Sequence, residues 1–193
     1  MIFRYIVLSM AFDIEHFMKL QLLVCSDLIF KYEGNWALWN IIEMLSFGDF
    51  MHLYRFFYNR HPDLNAEADL TIYLQPIKYL RNAAAHSNCL LNSIRKPYTR
   101  TFTPDKTIGN RVSRIRDIGR ASRSTNLRNP IMHDFVVMLY VHRLIVTSKD
   151  IKKTREDQIK DFIFRRMPIK KDYFLTNDAL MSAYCYCSHA SRN

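Results

Sequence analysis

The chain has 193 residues, 49% hydrophobic and 13% aromatic, enough apolar surface for one folded domain and too much for a disordered tail. At this length the folded state buries roughly 70% of the surface an unfolded chain exposes, so neither disulfides nor a structural metal are required. With 28 Lys+Arg against 18 Asp+Glu the formal charge is +10, which favours a polyanionic partner, nucleic acid before membrane.

In chain order, apolar residues recur at helical spacing from Ile2 to Phe30, through Val7, Met10, Ile14, Phe17, Met18 and Leu22. The opening MIFRYIVLSMAF has a signal-peptide look, but Asp13 and Glu15 follow at once with no small-residue cleavage site. Asn35 is a plausible cap for a second helix through Trp36, Trp39, Ile42 and Leu45. Gly48-Asp49 then marks a break, and Phe50 to Tyr58 continues helically to His61-Pro62. A third helix is predicted over Glu67 to Ser93, with Leu70, Tyr73, Leu74, Ile77, Leu80 and Ala84 on one stripe and Pro76 starting, kinking or interrupting it. Residues 96–104 read as loop, Val112, Ile115 and Ile118 as a short helix, and Ser122 to Asn126 as polar linker. Asn129-Pro130 is a cap followed by proline at the first helical position, opening a helix through Val146. A further helical piece runs from Glu156 to Phe164, and residues 172–193 read as a weakly ordered tail. Without strand-period alternation or internal repeats, the expected fold is all-α.

Charge is unevenly spread. Residues 1–94 carry a net −2, whereas residues 95–171 carry a net +13. In the densest stretch, Arg95 to Arg128, the basic residues are mostly arginine, whose planar fork matches phosphate oxygens. A solvated basic face is the bland reading of such a run; phosphate contact through Arg95, Arg111, Arg114, Arg116 and Arg120 is the sharper one. No apolar stretch approaches the length of a membrane span. The four cysteines, Cys25, Cys89, Cys185 and Cys187, fit reduced thiols in a cytoplasm. Cys185-x-Cys187-x-His189 lacks metal-site spacing and a second pair, so no metal and no cofactor are expected.

P-loop, HExxH, GxSxG and paired CxxC motifs are absent from the sequence. What remains is Arg81-Asn82-Ala83-Ala84-Ala85-His86. The bare spelling is weak, because Arg55/His61 and Arg128/His133 have a similar spacing. Arg55/His61 is read as chance and Arg128/His133 as a helix cap. On a helical projection Asn82 and His86 share one face away from the apolar stripe, and Arg81 lies about 140° from His86. Arg81 can join His86 only through its long side chain or from a facing subunit. The three alanines between them keep the helix surface thin, open to an RNA backbone or a partner helix.

Two blocks carry a resemblance. WALWNIIEMLSFGDFMHLY (36–54) followed by LRNAAAHSNCLLN (80–92) resembles the bacterial abortive-infection family (Abi, AbiD/AbiF-like), part of the HEPN superfamily of helical ribonucleases. The matching positions are Trp39, Glu43, Ser46, Phe47, Gly48 and Tyr54, then Leu80, Arg81, Asn82, Ala85, His86, Asn88, Leu90 and Asn92. Cys89, Ser93 and Ala37 stand where that family commonly has Arg, Arg and Pro.

The resemblance implies an HEPN-like helical core over 1–94, continued by a basic helical region over 95–171. It further implies a metal-independent endoribonuclease serving as a toxin or phage-defence effector in the bacterial cytoplasm. His86 would be general acid or base on the ribose 2′-OH or the leaving 5′-oxygen, Arg81 would stabilise the phosphate in the transition state, and Asn82 would orient His86 or the phosphate. The expected partners are RNA and a second copy of the chain, with an antitoxin or regulatory RNA as a further candidate. Two other readings compete: a non-catalytic RNA-binding protein with a degraded HEPN site, and a helical subunit whose basic half docks an acidic protein.

Overall fold

A computed structural model describes residues 2–24, 42–62, 69–86, 103–115, 118–169, 172 and 178–190. Among these residues the secondary structure is entirely helical. The elements are α1 (Ile2–Val24), α2 (Phe47–Arg60), α3 (Thr71–Ala85), α4 (Lys106–Ser113), α5 (Arg120–Leu127), α6 (Pro130–Ile145), α7 (Lys149–Lys160) and α8 (Asp178–Ala190). A π-helical turn, Asp161–Arg166, and a short helical piece, Met167–Ile169, continue α7.

α6 lies at the centre. Its residues from Met132 to Leu139 are all buried, as expected of a helix apolar around most of its circumference. Asn129 caps it: the side-chain oxygen accepts from the N–H groups of Ile131 (3.0 Å) and Met132 (3.1 Å), two donors the first turn would otherwise leave orphaned. Pro130, lacking an N–H, occupies the first helical position, as the sequence predicts.

α3 and α1 pack on α6 and on each other, and α2 covers α3. In α1, Ile6, Met10, Ile14, Met18 and Leu22 recur every four residues and are buried. In α2, Phe47, Phe50, Met51, Tyr54, Phe57 and Tyr58 form one buried stripe. Ser46 is the α2 cap, accepting from Asp49 N (3.2 Å) and donating its hydroxyl to Asp49 Oδ2 (2.6 Å). Gly48-Asp49 is therefore the first turn of a helix rather than a break.

An ion-pair cluster locks the two halves of the chain together. The Asp13 carboxylate on α1 receives Arg155 of α7 at two points and His142 Nε2 of α6 at 3.0 Å. Burial works to raise the Asp13 pKa, and the Arg155 and His142 hydrogen bonds outweigh it, holding the carboxyl below its ordinary value. Burial also lowers His142, more than Asp13 raises it, so the imidazole is neutral and donates through Nε2.

Several sequence expectations are corrected. α3 starts at Thr71, preceded by two non-helical residues, rather than at Glu67. Pro76 lies inside α3 and neither starts nor interrupts it. Its missing N–H deprives the Ile72 carbonyl of its helical donor, on a residue that is 64% exposed. The predicted Val112–Ile118 helix lies earlier: α4 is capped by Asp105, whose Oδ1 accepts from Ile108 N (3.0 Å), and ends at Ser113. The supposed linker Ser122–Asn126 is helical within α5; Asn126 Nδ2 donates to Ser122 O (2.9 Å) and across to Ser182 Oγ (3.1 Å) on α8. The helix at Glu156 begins at Lys149, where Ser148 caps it. The terminal stretch contains α8, with Ala183 and Tyr186 buried, because Ala183, Tyr186 and Cys187 recur at helical spacing. The predicted helix at Asn35, Cys25 and Cys89 fall largely or wholly outside the described residues, as does the chain between Ser87 and Phe102.

Candidate functional site

Tyr54 sets the start of the helix that carries the Arg-Asn-His motif. Its ring is fully buried in α2, between Phe50 (5.9 Å) and Tyr58 (4.7 Å). Its hydroxyl accepts from the backbone N–H of Leu70, the residue that opens α3 (3.3 Å). Burial pushes this phenol far above its ordinary pKa, so it remains protonated. From Leu70 onward Tyr73, Leu74, Ile77, Leu80 and Ala84 face the core and fix the rotation of α3.

That rotation presents the motif at the C-terminal end of α3. Arg81 and Asn82 are half-buried, and Arg81 Nη1 donates to Asn82 Oδ1 at 3.2 Å. The resemblance implies that Asn82 orients His86 or the phosphate; in the structure its oxygen accepts from the Arg81 guanidinium. His86 is exposed, and it is the C-cap rather than a mid-helix residue (φ −79°, ψ 12°), its N–H bonded to Asn82 O at 2.9 Å. The continuation of the predicted helix to Ser93 lies outside the described residues. Of the three alanines, Ala84 belongs to the core and Ala85 is exposed, so only part of the run is surface.

Ile72, Tyr79 and His86 recur every seven residues and share one outward face of α3, with Ile72 and Tyr79 at 64% and 48% exposure. Two large apolar groups thus lead along the surface to the imidazole.

The other two Arg/His spellings have different surroundings. His133 is buried in the first turn of α6, its Nδ1 3.2 Å from Asp134 Oδ1, directly behind the Asn129 cap. His61 is the C-cap of α2, its ring 4.9 Å from that of Phe57.

Of the arginines expected to hold RNA, Arg95 and Arg116 lie outside the described residues. Arg111 and Arg114, both exposed, sit on α4 and at its C-cap and line one groove; Arg120 stands at the start of α5 instead. Arg143, which sequence reasoning did not select, joins them from α6. Cys185 and Cys187 are two residues apart on α8, a spacing that turns their side chains away from each other. Among the described residues no group of three or more His, Cys, Asp or Glu side chains could hold a metal ion. None of the described helices is long and apolar enough to cross a membrane.

Comparison with known proteins bears on the segment from mid-α1 through the motif. Residues 14–92 match the Abi-like protein family. The matched segment contains α2, all of α3, Tyr54 and the Arg81-Asn82-His86 group, and includes both blocks, 36–54 and 80–92, that carry the sequence resemblance. No curated protein and no solved structure matches the chain.

Proposed function

We propose that this protein is a metal-independent endoribonuclease of the HEPN type, an AbiD/AbiF-like effector of abortive infection that cuts RNA by 2′-OH transesterification. The observation that carries this reading is an Asn-held guanidinium and an exposed imidazole, both at the C-terminal end of α3 and inside the matched segment.

The chemistry follows from those groups. The 2′-oxygen attacks the adjacent phosphorus as His86 removes its proton, and a 2′,3′-cyclic phosphate forms as the P–O5′ bond breaks. A second acid, for which the partner subunit's imidazole is the natural source, protonates the leaving 5′-oxygen. Arg81 neutralises the charge that builds on the non-bridging oxygens; a planar donor already held by Asn82 needs little reorganisation to do so. With its oxygen on Arg81, the Asn82 amide has N–H donors to offer a phosphate oxygen. The requirement for a 2′-OH makes RNA the substrate.

The exposed face of Ile72 and Tyr79 supports a homodimer in which each copy contributes one His86. The arginines after residue 94 would hold the RNA backbone, giving affinity that falls with salt.

The test is incubation of the full chain and of His86→Ala with mixed RNAs, with and without EDTA, followed by end-group analysis. Cyclic phosphate ends from the parent alone, unaffected by EDTA, are the expected result. RNA binding without cleavage by the parent would favour the non-catalytic RNA-binding reading.

A further inference from the structure

Between α4 and α6 lies a groove of about 410 Å³ in which Arg111, Arg114 and Arg143 surround a floor that includes Val136, Leu139 and Tyr140. Its size falls within the range of small-molecule sites, roughly 300–1,000 Å³. Every charged side chain that lines it, among the described residues, is an arginine. Arg143 meets Glu156 only at 3.8 Å, with both side chains about 40% exposed, a contact too loose and wet to neutralise the site. The Arg111 guanidinium lies 4.5 Å from the centre of the Tyr140 ring, and that ring meets the edge of Tyr73 on α3 at 5.4 Å. The result is a cation–aromatic pair on an apolar floor, with two further arginine forks beside it.

We infer that this groove binds an unpaired stretch of RNA, with a base against the Arg111–Tyr140 pair and Leu139 and the flanking phosphates on Arg111, Arg114 and Arg143. The inference deepens the ribonuclease reading and rests on it for the choice of polyanion. A duplex keeps its bases inside the stack and offers only sugar and phosphate, so it would meet the arginines and leave the floor uncovered. A single strand can turn a base outward onto an aromatic ring or a guanidinium plane, and can do so with little regard to sequence.

The site also implies an order along the RNA. Tyr73, which touches Tyr140, and His86 stand at opposite ends of α3, thirteen residues or roughly 20 Å apart along the axis. The nucleotide held in the groove is therefore not the one cut at His86. The groove anchors a flanking segment, and very short substrates gain nothing from it.

Binding is measured with the full chain carrying His86→Ala, to prevent turnover, using one RNA sequence as a single strand and as a blunt duplex. The single strand is expected to bind more tightly. Tyr140→Ala should weaken it about tenfold or more while leaving the duplex little changed. Arg111→Gln with Arg114→Gln should flatten the salt dependence by about 1.4 in the log–log slope. Should Tyr140→Ala unfold, Leu144→Glu at the 47%-exposed groove rim must weaken the single strand by like-charge repulsion without disturbing the core. Equal binding of strand and duplex, or indifference of the single strand to both Tyr140→Ala and Leu144→Glu, overturns the inference. So does a groove filled by an acidic protein that RNA cannot displace. Cleavage by the parent chain is scored separately. Cleavage with an indifferent Tyr140 would sink the groove alone, whereas Tyr140-dependent binding without cleavage would sink only the nuclease.

Discussion

Asp13 and Arg155 lie 142 residues apart in the chain and meet at two points: Arg155 Nε to Asp13 Oδ2 at 2.7 Å and Nη2 to Oδ1 at 3.2 Å. The pair is mostly buried, with side-chain exposures of 12% and 19%, and Asp13 also accepts from His142. Removing the carboxylate strands a guanidinium and a buried imidazole together. Asp13→Ala should therefore cost about 2–3 kcal/mol, short of the value for a fully buried pair because some solvent reaches it. Urea denaturation of the variant checks this, and a loss below about 0.5 kcal/mol would mean that the pair is merely incidental.

The same cluster sets a pH dependence. The folded pKa of His142 lies below its ordinary 6.5 and that of Asp13 below 3.8. Each group thus binds fewer protons folded than unfolded across its own window, and stability falls as pH falls. The decline begins near pH 6.5 with His142 and steepens below about pH 4 as Asp13 is protonated. His142→Gln keeps a donor for Asp13 but does not titrate, so its stability should be flatter between pH 6.5 and 4. A parallel loss in parent and variant would assign the effect to other groups.

At the motif, His86→Ala and Arg81→Ala should each lower RNA cleavage at least about 100-fold. His86 is exposed and caps the helix through its backbone, so its loss should leave the thermal midpoint nearly unchanged. Asn82→Ala frees the guanidinium without removing it, and an intermediate loss in kcat is expected. Rates are compared on one fluorescent RNA at saturating enzyme.

Ile72→Glu places a charge on the outward face of α3 without touching the core. If that face joins two copies, the variant should elute as a monomer and lose cleavage in parallel, while His86→Ala remains a dimer. A variant that is still dimeric and fully active would move the interface elsewhere.

Asn129→Ala should destabilise the chain by about 1–2 kcal/mol, the upper part of the range for a lost cap, because Asn129 is 3% exposed and water cannot readily serve the two abandoned N–H groups. His133→Ala should act on stability alone. A change in the cleavage products of His133→Ala would return that residue to the chemistry.

Periodicity made the buried faces of α1 and α3 readable, since residues such as Leu70, Leu74, Ile77 and Leu80 repeat at the helical period whatever they pack against, whereas the first turn of α2 at Gly48-Asp49 looks locally like a break. Asn129-Pro130 was readable for a similar reason: a cap is chemistry between near neighbours. α5 was not, because Ser122 to Asn126 is polar, and what holds it helical includes a hydrogen bond to Ser182 on α8. Of the outcomes open for Pro76, starting and interrupting the helix are excluded, because α3 runs through it from Thr71 to Ala85. Within the candidate site, the residue types were visible, but not their pairing: Arg81 bends back to Asn82, its chain neighbour. Tyr140 and Arg143 carried no local signal, since their place beside Arg111 exists only once α4 lies against α6.

α6 and α7 begin well beyond residue 92, yet they cover α1 and α3 and supply both partners of Asp13. The stretch that resembles other proteins is therefore smaller than the unit that folds. Excised at residues 14 and 92, that stretch would lose the first half of α1 with Ile6, Met10 and Asp13, bare the apolar flanks of two helices, and is expected to aggregate rather than stand alone. The matched stretch and the mechanically independent unit have different borders in this molecule, and the second is drawn by α6.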